Sequence, residues 1–153
     1  MIQRIQSLYL LAVTALMGIT LFAPIAKFTV GDTDFVLTAF SLAGGGESQS
    51  TIWMGVILAI AAVLPLATIF LFKNRQLQIR LCAAEFVLLL GAVAYIAIYY
   101  WLTVANVFDG VEVGHRQLGW AAPMPLVSML FDYLAIRAIF KDEMLVRSLD
   151  RIR

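Results

Sequence analysis

The sequence predicts an all-α membrane protein, a four-transmembrane-helix bundle with a small extracytoplasmic β-hairpin or sheet cap and a cytoplasmic C-terminal helical extension. Three observations predict this class. The 153-residue chain is 62% hydrophobic and 14% charged, against roughly 45–50% and 25% in soluble domains. Its apolar residues form four stretches, each with about the ~20 residues that a helix needs to cross the hydrocarbon core of a bilayer. Its basic residues lie almost entirely on one side of these stretches.

The four stretches and their connections make up a single predicted membrane domain, residues 1–153. We place the spans at residues 8–26, 52–72, 81–105 and 120–140. Two outer connections lie at 27–51 and 106–119, the inner connection at 73–80, and the inner tail at 141–153. These connections are too short to hold a separate soluble domain.

The distribution of charge predicts the orientation. An even number of spans puts both termini on the same side as the inner connection, and that side carries nine of the eleven basic residues, leaving Lys27 and Arg116 outside. The positive-inside rule then predicts a multi-pass protein of the bacterial cytoplasmic (inner) membrane with both termini in the cytoplasm. An aromatic belt at the outer ends of three spans agrees with this orientation; its tryptophans are Trp53, Trp101 and Trp120.

The two outer connections have the composition of strands and turns. Residues 27–30 and 35–38 are rich in β-branched and aromatic side chains and flank the turn Gly31-Asp32-Thr33-Asp34, which predicts a hairpin. The glycine-rich stretch 44–50 predicts a flexible return, and Asp109-Gly110 predicts a second turn. Because an isolated hairpin is marginal in water, we expect the two connections to combine into one small sheet.

Two carboxylates inside predicted spans are the main candidates for a functional site. Asp132 lies deep in the fourth span with Ser128 one turn before it on the same face. Glu85 lies about five residues from the inner end of the third span, within reach of lipid headgroups. Acidic residues in membranes are costly and usually face the protein interior or water. They indicate either a proton or cation pathway or internal ties to polar and basic side chains of neighbouring helices, namely Gln3, Arg4, Gln6 and Arg80.

The C-terminal tail predicts a contact surface on the cytoplasmic side. Apolar residues recur there at i, i+4 and i+7, so the tail continues the fourth span as a helix with one apolar stripe and a basic flank. Three roles suit this pattern: lying in the anionic inner-leaflet interface, packing on the N-terminal turn, or docking to a partner. The predicted contact residues for a partner or for lipid are Arg4, Leu145, Arg147, Leu149, Arg151 and Ile152.

The composition indicates no catalytic, cofactor, metal or nucleic-acid site. With one histidine and one cysteine, the chain lacks the ligands of a common metal site, and no nucleophile accompanies the two carboxylates. We therefore predict a non-catalytic accessory or scaffold subunit of a membrane complex, whose partners are the lipid bilayer and a membrane protein or a second copy of the chain. The alternative is a small transporter or proton-coupled carrier that uses Glu85 and Asp132.

Both ends of the chain resemble a known family, the bacterial domain of unknown function 4293. The resemblance covers the whole chain in length and in the number of predicted spans. It implies a small four-helix integral membrane protein and transfers no activity, cofactor or site. The residues that carry it are Met1-Ile2-Gln3-Arg4-Ile5-Gln6-Ser7 at the start and Lys141-Asp142-Glu143-x-Leu145-Val146-Arg147-Ser148-x-Asp150-Arg151-Ile152-Arg153 at the end.

Overall fold

Four helices account for most of the residues that the computed structural model describes, which are 2–71, 74–103 and 113–150. They are α1 (Ile2–Phe22), α2 (Ile52–Phe70), α3 (Arg75–Ile98) and α4 (Met124–Asp150). The α3 helix continues into one π-helical turn, Tyr99–Thr103. Helices α1 and α3 each pack against both α2 and α4. These contacts join the four helices in a ring that follows their order in the chain.

Five strands form one antiparallel sheet at one end of the helices. They are β1 (Ala26–Val30), β2 (Thr33–Leu37), β3 (Ser41–Gly44), β4 (Glu47–Ser50) and β5 (Val113–Leu118), in the spatial order β4-β3-β2-β1-β5. Strands β1 to β4 connect α1 to α2, and β5 precedes α4. We call this end of the helices the sheet end. The opposite end, where α1 begins and α4 finishes, is called the terminal end.

The predicted all-α fold with four membrane spans is wrong. The described residues contain the five-stranded sheet as well as four helices, and three of those helices are long and apolar enough to cross a membrane: Ile5–Phe22, Ile52–Phe70 and Arg75–Trp101. The α4 helix differs because residues 124–141 include three charged side chains. Charges raise the cost of placing a helix in hydrocarbon. Those side chains are Asp132, Arg137 and Lys141.

Two local predictions about the connections also need correction. Strands β1 and β2 coincide with the predicted hairpin, but the predicted flexible return at 44–50 is a second hairpin, β3–β4. Its turn places Gly45 and Gly46 at φ of 59° and 86°, a left-handed conformation that glycine adopts without a steric penalty. The inner connection is shorter than predicted because α3 already begins at Arg75. The second predicted turn, Asp109-Gly110, lies outside the described residues.

The buried apolar side chains form two separate clusters. The larger cluster joins the inner face of the sheet to the helices, and includes Phe28, Leu37, Met17, Leu58 and Leu89. The smaller cluster lies toward the terminal end and consists of Leu10, Cys82, Ala135 and Ile139. The sheet therefore closes one end of the helical core, and the interval between the two clusters is where the candidate site lies.

Candidate functional site

The two intramembrane candidates of the sequence meet where α3 packs against α4. Glu85 lies on α3 one turn after Cys82, and Asp132 lies on α4 one turn after Ser128. All four side chains are fully buried. The spacings of three and four residues put each pair on one face of its helix, and the packing of α3 on α4 turns those two faces toward each other. The structure thus brings together residues that are 47 positions apart in the sequence.

The acid pair forms a polar layer between the two apolar clusters. Along α3, Glu85 follows Cys82 of the smaller cluster and precedes Leu89 of the larger one. On α1, the change from the smaller to the larger cluster falls between Leu10 and Val13. Glu85 lies ten residues into α3, or roughly 15 Å at ~1.5 Å per residue. Because α3 starts six residues before the predicted third span, Glu85 lies deeper in its helix than in that span, whose inner end is about five residues away.

No described side chain neutralises either carboxylate. All four carboxylate oxygens of Glu85 and Asp132 are buried without a hydrogen-bond partner among the described residues, as is the Ser128 hydroxyl. One of the predicted ties, Gln6, instead donates through Nε2 to the carbonyl of Ala138 at 3.1 Å. Buried polar groups are nearly always paired, so an unpaired acid pair needs a specific explanation.

The negative charges of Glu85 and Asp132 are unfavourable in this buried position. Glu85 and Asp132 are close enough to repel each other when charged, and the Cys82 thiol adjoins the Asp132 carboxylate. Two uncompensated negative charges inside a helical core are very unfavourable because burial strips them of water. No side chain in the described part of the chain compensates these charges. Among the described residues, we find no cluster of three or more histidine, cysteine or acidic side chains that could hold a metal ion.

Comparison with protein families gives the family of the chain. The family model described as Domain of unknown function (DUF4293) matches residues 2–152. The chain belongs to the DUF4293 family. A comparison with curated proteins finds no match. The DUF4293 description assigns no activity, so the function of this member has to be inferred from its own residues.

The terminal end of this DUF4293 chain is held by an ion pair that the sequence did not indicate. Arg75 at the start of α3 lies 3.2 Å from the Asp142 carboxylate on α4 and also donates to the Asp142 carbonyl at 3.3 Å. Beside it, Gln78 donates through Nε2 to the carbonyl of Thr68, 2.9 Å away. The predicted inner connection concealed both contacts, since it treated residues 73–80 as a loop.

The predicted contact residues at the two ends of this DUF4293 chain are only partly described. α4 continues to Asp150, as predicted for a helical tail, and Leu145 is 45% exposed. The side chains of Arg4, Arg147 and Leu149 lie outside the described part of the structure. Arg151 and Ile152 lie entirely outside it.

Proposed function

We propose that this chain is a small, non-enzymatic proton-coupled carrier in which Glu85 and Asp132 bind the proton. The observation that supports this proposal is that no described basic side chain pairs with their four oxygens, and that the Cys82 thiol beside Asp132 is uncharged. The sequence favoured an accessory subunit, partly because internal ties would have neutralised both acids. A buried acid pair without a counter-charge among the described side chains instead favours a site that takes up and gives back a positive charge.

The surroundings of the pair suit a proton site that opens by helix movement. Both acids are fully buried, so water must reach them through a change in the packing of α3 on α4. Ser128, one turn before Asp132 on α4, and Cys82, beside Asp132, are uncharged side chains that can donate a hydrogen bond to a carboxylate without neutralising it. Protonation removes the repulsion between the acids, and deprotonation restores it. The charge state of the pair would thereby bias how closely the two helices pack.

We also propose that the protein lies in the bacterial inner membrane with its sheet outside and the terminal end of its helices facing the cytoplasm. Two features support this orientation. The exposed basic residues Arg80, Arg137 and Lys141 lie toward the terminal end, in agreement with the positive-inside rule. The three tryptophans all lie at the sheet end with exposed side chains, as residues of an aromatic belt do.

Proton flux in proteoliposomes tests the proposal. The purified chain is reconstituted into vesicles that contain a pH-sensitive dye, and a potassium gradient with valinomycin drives protons inward. We expect uptake above that of protein-free vesicles, which Asp132→Asn and Glu85→Gln abolish. The control is Asp32→Asn, because Asp32 is exposed in the β1–β2 turn. Uptake by Asp132→Asn at the rate of the unmodified chain would contradict a proton role.

A second candidate, the accessory or scaffold subunit, is favoured by the exposed apolar residues near the end of α4. Met144 and Val146 are 56% and 41% exposed. Successive residues of a helix project about 100° apart, so Met144 and Val146 lie on different faces of α4. Packing of one face of α4 therefore leaves the other face exposed. This end of α4 adjoins a groove of about 440 Å³ lined by Arg75, Arg80 and Glu143, which suits a partner helix with apolar and charged side chains.

Site-specific photocrosslinking in native membranes tests the accessory role. A photoreactive amino acid at position 144 is expected to give one discrete crosslinked protein, either another membrane protein or a second copy of the chain. The matched control is position 49, where Gln49 is exposed on β4 at the sheet end. If position 144 yields only lipid adducts, or the same products as position 49, the terminal end is not a docking surface.

A further inference from the structure

We propose that the sheet end binds an anionic phospholipid of the bilayer in a groove beneath β5, with the lipid phosphate on Arg116. The groove lies between the π-helical end of α3 and the start of α4, and its volume is about 640 Å³. That volume is within the ~300–1,000 Å³ typical of small-molecule sites. The proposal goes beyond the proton site, with which it shares no residue.

The register of the sheet places Arg116 above this groove. Arg116 pairs with Phe28 of β1, and residues opposite each other in an antiparallel ladder project from the same face. Phe28 is buried against the helices, with its ring 5.5 Å from that of Tyr100. Arg116 therefore projects from the helix-facing side of the sheet, whereas its neighbour Gln117 projects from the opposite side.

The remaining lining of the groove is suited to an acyl chain. Its other described lining residues are uncharged and mainly apolar, and they include Ile96, Ala97, Ala122 and Leu126. Arg116 is the one charged side chain among the described residues that line it. A lipid tail would bury apolar surface in the groove while the guanidinium meets the phosphate with paired hydrogen bonds.

Two further features place the groove at the headgroup level of a membrane. Trp101 and Leu118, both in its lining, are 68% and 63% exposed, so apolar side chains at its mouth are available to lipid. Trp101 belongs to the π-helical turn, a local widening of a helix that is frequent at functional sites. This turn sets the Tyr100 and Trp101 rings edge to face, 5.9 Å apart, along one side of the groove.

Quenching of Trp101 by brominated lipids tests this site. The test chain carries Trp53→Phe and Trp120→Phe, so that Trp101 is its one tryptophan. It is reconstituted in phosphatidylcholine bilayers with equal fractions of brominated phosphatidylglycerol or brominated phosphatidylcholine. We expect the anionic lipid to be favoured about fivefold, as a single basic side chain near a headgroup provides. The preference should fall as salt is added.

Three variants separate a built site from general contact with lipid. Arg116→Ala is expected to remove the preference, while Lys27→Ala keeps it, because Lys27 pairs with Gln117 on the opposite face of the sheet. Ala97→Phe, which fills the groove and retains Arg116, is expected to reduce quenching by both lipids. Equal quenching by the two lipids in the test chain would overturn the proposal. So would full quenching in Ala97→Phe, and neither result would bear on proton flux.

Discussion

Replacing Glu85 by methionine is expected to stabilise the protein, because it removes a buried carboxylate that has no described partner. An unsatisfied buried polar group costs about 1–3 kcal/mol. Methionine is unbranched and of similar length, so the packing change should cost less than about 1.5 kcal/mol. The expected net gain is about 1 kcal/mol, or a rise of about 2–4 °C in Tm for a chain of this size.

The single cysteine gives a direct assay for this change. Cys82 is buried, so a thiol-reactive fluorogenic dye labels the chain only as it unfolds, and the midpoint of labelling during heating reports Tm. Asp32→Asn serves as the control, and its Tm should not change, because Asp32 is exposed. Removing one partner of a buried ion pair would instead cost about 3–5 kcal/mol. A fall in Tm of several degrees for Glu85→Met would therefore refute the conclusion that this carboxylate is unpaired.

Two glycine substitutions and one double-mutant cycle test how the helices and the sheet are packed. Gly119→Ala is expected to destabilise the protein by about 1–3 kcal/mol, since a Cβ there would lie 2.9 Å from the Ile25 carbonyl oxygen. Gly91→Ala serves as the comparison, because no atom lies within 4 Å of its added Cβ. It should stabilise α3 by up to about 1 kcal/mol. If Gly119→Ala does not lower the Tm measured by Cys82 labelling, the close approach of Gly119 to Ile25 is contradicted. A double-mutant cycle on Arg75 and Asp142, both partly exposed, should give a coupling of about 0.5 kcal/mol that salt reduces, and zero coupling at low salt would contradict the ion pair.

The sequence predicted the elements whose signals are local. Hydrophobic length located α2 to within two residues, and turn chemistry located the β1–β2 hairpin. It failed at 75–80, where polar residues suggested a loop although arginine, glutamine and leucine are good helix formers. It failed again at 44–50, because glycines that read as a linker also supply the left-handed φ of a tight hairpin.

The candidate site was predictable only in part, for a related reason. Periodicity placed Ser128 and Asp132 on one face of a helix, and the membrane context identified Glu85 and Asp132 as unusual. The meeting of the two acids depends on which helices are neighbours in the ring, and no periodicity within one helix contains that information. The Arg75–Asp142 contact is likewise long-range, since it joins residues of α3 and α4 that are 67 positions apart in the chain.

The most direct test of a proton on the Glu85–Asp132 pair is infrared spectroscopy of the purified protein in bilayers across a pH titration. A protonated carboxyl group has a carbonyl stretching band that a carboxylate lacks. We expect a band from a buried protonated carboxyl that persists at neutral pH in the unmodified chain, loses intensity in Glu85→Gln and Asp132→Asn, and is unchanged in Asp32→Asn. A spectrum without such a band at neutral pH, or one that neither substitution alters, would contradict the assignment of a bound proton to this pair.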